Sequence, residues 1–218
     1  MDLRQYIFPI YSGGTIIGQA FVADGFLVTA AHIVKDYPSC FTVLSGKRHE
    51  LSKEKSSNSI EGDIYHDENM LDVVLFPCDE IDSPLHLSNY IPKEGDRLES
   101  YCVHEVSMPF SLTQMVSLTP TFEQSIEPAV VVKEEIGNYF YCDCNRLKGS
   151  SGSPLLKGND IVGIMHGGKM VKELIQEGCL SEEEKRAYNL EDDDKICSFL
   201  RIGAFMSLIE NEKYNNKV

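Results

Sequence analysis

The chain has 218 residues, of which 42% are hydrophobic and 25% charged. That length and balance exclude wholesale disorder and a small crosslinked scaffold, and suit one two-lobed unit or two small domains, each with its own core. Its net charge of −14 speaks against nucleic acid or an anionic membrane as the main partner, since both need a basic face.

The first half reads as short β-type runs separated by turn residues. Gln5 to Tyr11 is followed by Gly13-Gly14 and then by Thr15 to Ala23. Asp24-Gly25 is a hairpin signal, and Phe26 to Thr29 continues the pattern. Phe41 to Leu44, Ile60 to Tyr65 and Val73 to Phe76 are further strands, with a polar loop at Ser52 to Ser59. Tyr90 to Asp96 contains Pro92 and Gly95 and is the expected link between halves. The domain boundaries follow: residues 1–92 and 93–218.

The second half repeats the β character at Arg97 to Val106, Ser111 to Leu118, Ala129 to Val132 and Tyr139 to Cys142. Pro154 to Leu156 and Ile161 to Met165 flank a turn at Gly158-Asn159-Asp160. Many short strands at close spacing indicate an all-β sandwich or barrel. Two segments differ. Val171 to Lys195 reads as an acidic helical insertion with nine acids against four bases, and Ala204 to Glu212 as a C-terminal helix. The insertion is either a solvated excursion or a site that docks a regulatory protein or gates a cleft.

The N-terminus lacks a basic leader followed by a long apolar stretch, and no apolar run approaches the roughly 18 residues needed to span a bilayer. The seven cysteines are scattered and odd in number, which does not suit a disulfide framework. Cys142 and Cys144 lack the spacing and second ligand pair of a zinc site, so free thiols are expected for most. A reducing, cytoplasmic compartment is the expectation, with no metal and no organic cofactor.

Three local patterns carry chemistry. Thr29-Ala30-Ala31-His32 runs on from a strand, Asp72 opens the apolar run Val73 to Phe76, and Gly149-Ser150-Ser151-Gly152-Ser153-Pro154 is a small-residue turn before Leu155-Leu156. A serine hydroxyl needs a base to take its proton during attack. Histidine suits that task near neutral pH. A carboxylate on its other ring nitrogen fixes the tautomer and stabilises the imidazolium. Gly149 and Gly152 let the backbone turn so that the N–H groups of Gly149 and Ser151 converge on one point. In well-studied cases losing one such donor costs about 2.7–4 kcal/mol of transition-state stabilisation.

With these residues the chain resembles the chymotrypsin-like (trypsin-like) serine peptidases, most of all the bacterial branch that includes the HtrA proteases, here without a PDZ domain. The family pattern T-A-A-H falls on Thr29 to His32, its Asp on Asp72 and its G-[DN]-S-G-[GS]-P on Gly149 to Pro154. Pro92 to Leu98 is similar to the turn that enters the second barrel of HtrA-type enzymes. The resemblance implies two six-stranded antiparallel β-barrels with the site between them. It implies a serine endopeptidase acting through an acyl-enzyme, with catalytic His32, Asp72 and Ser151, an oxyanion hole at Gly149 and Ser151, and a protein or peptide substrate. The alternatives are a silent or partner-activated peptide-binding module of the same fold, or a peptidase restricted to itself or one partner.

Two departures matter. Secreted trypsin-like enzymes place a half-cystine directly after the histidine, where this chain has Ile33. They place an Asp before the nucleophile to pair with a freed N-terminus, where this chain has Ser150, so activation by N-terminal clipping is not supported. The resemblance puts Asn145 at the base of the primary pocket, with Met165, His166, Gly167 and Gly168 along its wall. Arg146 and Lys148 either favour an acidic or amide side chain or point to solvent. His166 has two readings, one in the pocket and one against Asp72.

Overall fold

The computed structural model describes residues 2–57, 70–106, 121–144 and 149–215. Two sheets carry the chain. The first is built from β1 (Ile7–Ser12), β2 (Thr15–Ala23), β3 (Phe26–Thr29), β4 (Phe41–Leu44), β5 (Lys47–Glu50) and β6 (Val74–Pro77), in the spatial order β5-β4-β1-β2-β3-β6. A short helix α1 (Ala31–Asp36) follows β3. The second sheet contains β8 (Arg97–Val106), β9 (Thr121–Ile136), β10 (Tyr139–Asp143), β11 (Pro154–Lys157), β12 (Asp160–Met170) and β13 (Lys195–Arg201). Its order β11-β8-β9-β10-β13-β12, with an added β11–β12 pairing, closes it into an antiparallel six-stranded barrel. The first sheet is a six-stranded half-barrel among the described residues.

Several strands are buried on both faces, and that explains their unbroken apolar sequences. In β2, Ala20 and Val22 face the core of the first barrel, while Phe21 and Ala23 face the seam between barrels. Leu27 in β3 and Phe76 in β6 join the first barrel's core, whereas Val28 and Leu75 join the seam. The second barrel repeats the arrangement. Phe140, Val162, Met165 and Phe199 fill its interior, and Tyr139, Ile161, Ile164 and Leu200 turn to the seam.

One strand departs from the antiparallel scheme. β7 (His86–Leu87) precedes the predicted link yet pairs parallel with β12. The Asp24 carboxylate, at the hairpin between β2 and β3, holds it: Oδ2 accepts the Leu87 N–H at 2.9 Å. The predicted start at Gln5 is a 3-10 turn instead, Leu3–Tyr6, capped by the Asp2 carboxylate. β5 was not expected; its residues are Lys-Arg-His-Glu, without an apolar alternation. The strands expected at Ile60 to Tyr65 and Ser111 to Leu118 lie outside the described residues.

The acidic segment is two short helices, α2 (Val171–Gln176) and α3 (Glu182–Ala187), not one. Gly178, at φ +72°, ends the first. Ser181 starts the second with a capping box, its hydroxyl accepting the Glu184 N–H and the Glu184 carboxylate accepting the Ser181 N–H. Lys195 already belongs to β13. The segment is anchored as well as solvated. Val171, Leu174, Leu180 and Leu190 are buried against Val132, Tyr141 and Ile196 on the outside of the second barrel. Lys133 Nζ meets Glu184 Oε1 at 2.6 Å. A C-terminal helix α4 (Met206–Asn215) follows a 3-10 turn and places Ile209 in the seam. All seven cysteines are free thiols; Cys179 is half-buried and the other six are buried. Among the described residues, no helix is long and apolar enough to cross a membrane.

Candidate active site

His32 and Asp72 are brought together by the ends of adjacent strands. Thr29 closes β3, and the chain turns through the fully buried Ala30 and Ala31 into the first turn of α1, which carries His32. Asp72 sits two residues before β6, the strand paired with β3. Its side chain is completely buried. Oδ1 accepts the His32 backbone N–H at 2.8 Å, and Oδ2 meets His32 Nδ1 at 2.7 Å.

A second histidine reaches the same carboxylate. His166 Nδ1 is hydrogen-bonded to Asp72 Oδ2. β12 and β13 explain how it gets there. Met165 pairs with Phe199 and Gly167 with Ser198, so His166 is the extra residue of a β-bulge. A bulge re-aims a side chain that regular alternation would send elsewhere. His166 thus stands against Asp72. Burial by itself pushes the Asp72 carboxyl up, but the hydrogen bonds from His166 and His32 more than offset it and hold the group well below the usual carboxylate range. Asp72 is therefore an acceptor, and both rings present Nδ1–H to it. In a neutral His32 ring, Nε2 is then the nitrogen that can accept a proton.

Ser151 lies in a turn that is clasped from two sides. On the β2 side, the Gln19 N–H donates to the Ser151 carbonyl at 2.8 Å, and Gln19 Nε2 donates to the Gly149 carbonyl at 2.9 Å. On the β12 side, the Gly152 N–H donates to the Met165 carbonyl at 2.8 Å, and the Met165 N–H to the Ser153 carbonyl at 2.9 Å. Gly149 and Gly152 adopt φ of +82° and +81°. At Gly152 no other residue fits: a Cβ would stand 2.2 Å from the Gln19 carbonyl oxygen and 2.6 Å from Thr29 Oγ1. The turn is thus pressed against the chain that leads into His32. The Gly152 and Ser153 N–H groups are bonded within the fold, to Met165 and Ser150. Among the described residues, none accepts from the Gly149 or Ser151 N–H.

Met165 is buried in the core of the second barrel. Gly167 and Gly168 are half-buried and pair with Ser198 and Cys197. Asn145, Arg146 and Lys148 lie outside the described residues. His32, Asp72 and His166 hold three potential ligand atoms within 4.8 Å of one another. Nδ1 of both rings is hydrogen-bonded to Asp72 Oδ2. Sequence reasoning missed Gln19, which is fully buried and carries the Ser151 turn. Its one signal was an amide in the middle of the apolar run Ile16 to Ala23.

No family model and no curated protein matches the chain. Solved structures do. Mouse neuropsin, a serine protease expressed in the limbic system of the brain, superposes with a TM-score of 0.62 at 14% identity, covering 96% of this chain and 95% of that one. The chain has the chymotrypsin fold. A mutant of human heparin binding protein gives a TM-score of 0.61 at 15% identity over 99% of this chain and 95% of that one. An inactivated protease paralogue of the scabies mite gives 0.59 at 13% identity, over 99% and 97%. The fold thus serves proteins described as proteases and proteins described otherwise, so the chemistry rests on this chain's own residues.

Proposed function

We propose that the protein is a serine endopeptidase. Ser151 attacks the scissile carbonyl and forms an acyl-enzyme that water hydrolyses. His32 takes the serine proton and returns it to the leaving amine. Asp72 orients the ring and stabilises the imidazolium, and the N–H groups of Gly149 and Ser151 receive the oxyanion. The observation that carries this reading is the double hold of Asp72 on the His32 main chain and ring, at 2.8 and 2.7 Å, beside a serine turn pressed against the strand that delivers His32. The substrate class is protein or peptide. Asn145, Gly167 and Gly168 are the pocket positions in this reading, and the turn at Pro92 to Leu98 supports an HtrA-type arrangement. Seven cysteines held as thiols, outside any disulfide, support a reducing compartment. The segment 171–195, with acidic residues exposed on an anchored base, is the surface for a regulatory partner.

A fluorophosphonate probe tests the core of the proposal. Wild type is labelled and Ser151→Ala is not. The likeness to an inactivated paralogue gives a second reading, a silent or partner-activated peptide-binding module. Absence of labelling in wild type, with peptide still bound, would favour that reading.

A further inference from the structure

The Asp72 carboxylate serves two imidazoles, and the serine chemistry needs only one. His32 and His166 both place Nδ1 on Oδ2. Their rings stand edge to face at 88°, with centroids 5.7 Å apart. Neither ring is sealed away: the side chains of His32 and His166 retain 13% and 17% of their exposure, against none for Asp72. His166 also rests against the Tyr139 ring at 5.0 Å. The titratable groups facing His166 are His32 from α1, Asp72 from the segment ahead of β6 and Tyr139 from β10. The Tyr139 hydroxyl donates to the Met70 carbonyl at 3.1 Å.

We propose that His166 is a positioning residue that shares the Asp72 charge with His32, so that a proton on His166 withdraws the carboxylate's support and silences His32 as a base. This deepens the peptidase reading and rests on it for its catalytic half. With both rings neutral, each donates Nδ1–H to Asp72, the carboxylate is held in place, and its full charge is on hand when His32 takes the Ser151 proton. With His166 an imidazolium, the carboxylate is already neutralised. A second imidazolium at His32 then forms 5.7 Å from the first. Two like charges at that separation, in a site of effective dielectric constant near 20, disfavour the doubly protonated state by about a hundredfold. The two rings therefore titrate as one coupled unit, and a proton on either stops turnover. Acid shuts the site at a higher pH than His32 alone would set.

Two measurements test this, one independent of activity. In Ser151→Ala, with histidines labelled at the ring carbon between the nitrogens, NMR titration reads each imidazole. Both rings are expected to show two inflections, separated by about two pH units, and His166→Gln is expected to leave His32 with one. Single inflections in both rings, unmoved by replacing the other, would overturn the proposal. The second measurement is the pH profile of kcat/KM on a peptide substrate. The acid limb of His166→Gln, normalised to its own plateau, moves to lower pH by about 0.3 unit if the rings are equally basic and by more if His166 is the stronger base. An acid limb that stays in place, or moves up, overturns the catalytic half. If His166→Gln does not fold, the two inflections in Ser151→Ala alone decide the coupling, and His166→Asn replaces it in the kinetics. Coupled inflections in a protein that no fluorophosphonate labels would retain the shared carboxylate and reject the peptidase reading.

Discussion

The His32 main chain and the His32 ring hold opposite oxygens of one carboxylate, N–H on Asp72 Oδ1 at 2.8 Å and Nδ1 on Oδ2 at 2.7 Å. Asn in place of Asp72 keeps an acceptor for the main chain but turns an amide NH2 toward the ring. Nδ1 must then accept, and the proton moves to Nε2, where the serine needs a base. Asp72→Asn is expected to lower kcat on a peptide substrate by about 10⁴-fold with the fold retained by circular dichroism. A loss below tenfold would remove Asp72 from this role.

Gly152 is constrained by both conformation and space. Its φ is +81°, and a Cβ would press on the Gln19 backbone oxygen. Gly158 also has a positive φ, +67°, yet its missing Cβ faces open space. A left-handed conformation alone costs a non-glycine residue about 1–2 kcal/mol. Denaturant unfolding should show Gly158→Ala losing about that much, and Gly152→Ala losing at least ~2 kcal/mol more as the Ser151 turn is displaced. Equal losses would mean that the turn yields freely.

Two carboxylates make the fold acid-sensitive. Asp72 is held well below its ordinary range. Burial pushes Glu184 up, but Lys133 and the Ser181 hydrogen bonds more than offset this and bring it to about 2. A carboxyl that is more acidic folded than unfolded gives its full stabilisation above the unfolded value, near 4, and loses it as pH falls toward the folded value. Urea midpoints should fall below about pH 4. Asp72→Asn and Glu184→Gln should each flatten that fall, Glu184→Gln the less because its partly exposed ion pair is screened by solvent. Parallel curves for all three proteins would contradict the assignment.

The acidic segment is fastened by its few apolar residues. Leu180 retains 3% of its exposure and packs with Leu174, Leu190 and Tyr141. Leu180→Ala is expected to cost about 2–4 kcal/mol in unfolding free energy. Glu183→Ala, at an exposed position of α3, should stay within about 0.5 kcal/mol. A small effect from both would show a segment that lies loosely on the barrel.

Much of this architecture was written locally. β2, β3, β4 and β8 begin and end where Thr15 to Ala23, Phe26 to Thr29, Phe41 to Leu44 and Arg97 to Val106 predicted, because their apolar runs are bounded by Gly, Asp and polar residues. What stayed hidden depends on partners far along the chain. β5 is a polar edge strand held by its neighbour, and β7 is two residues stitched to β12. The acidic stretch has helical composition throughout, and only Gly178 and the Ser181 cap divide it. At the site, two of the sequence motifs mark His32 and Asp72, which the fold brings within hydrogen-bond reach. Gln19 was invisible because its hydrogen bonds go to backbone atoms 130 residues away. The placement of His166 hung on a one-residue bulge, which alternation alone does not disclose.

The burial of the thiols makes the cysteines a gauge of unfolding. Burial holds Cys40 and Cys102 up at about 11, so almost no thiolate exists there at neutral pH. A brief alkylation pulse on the native protein therefore marks Cys179 first. Every adduct beyond that one records a stretch of interior laid open to the reagent, and mapping the adducts by mass spectrometry would show which barrel gives way first.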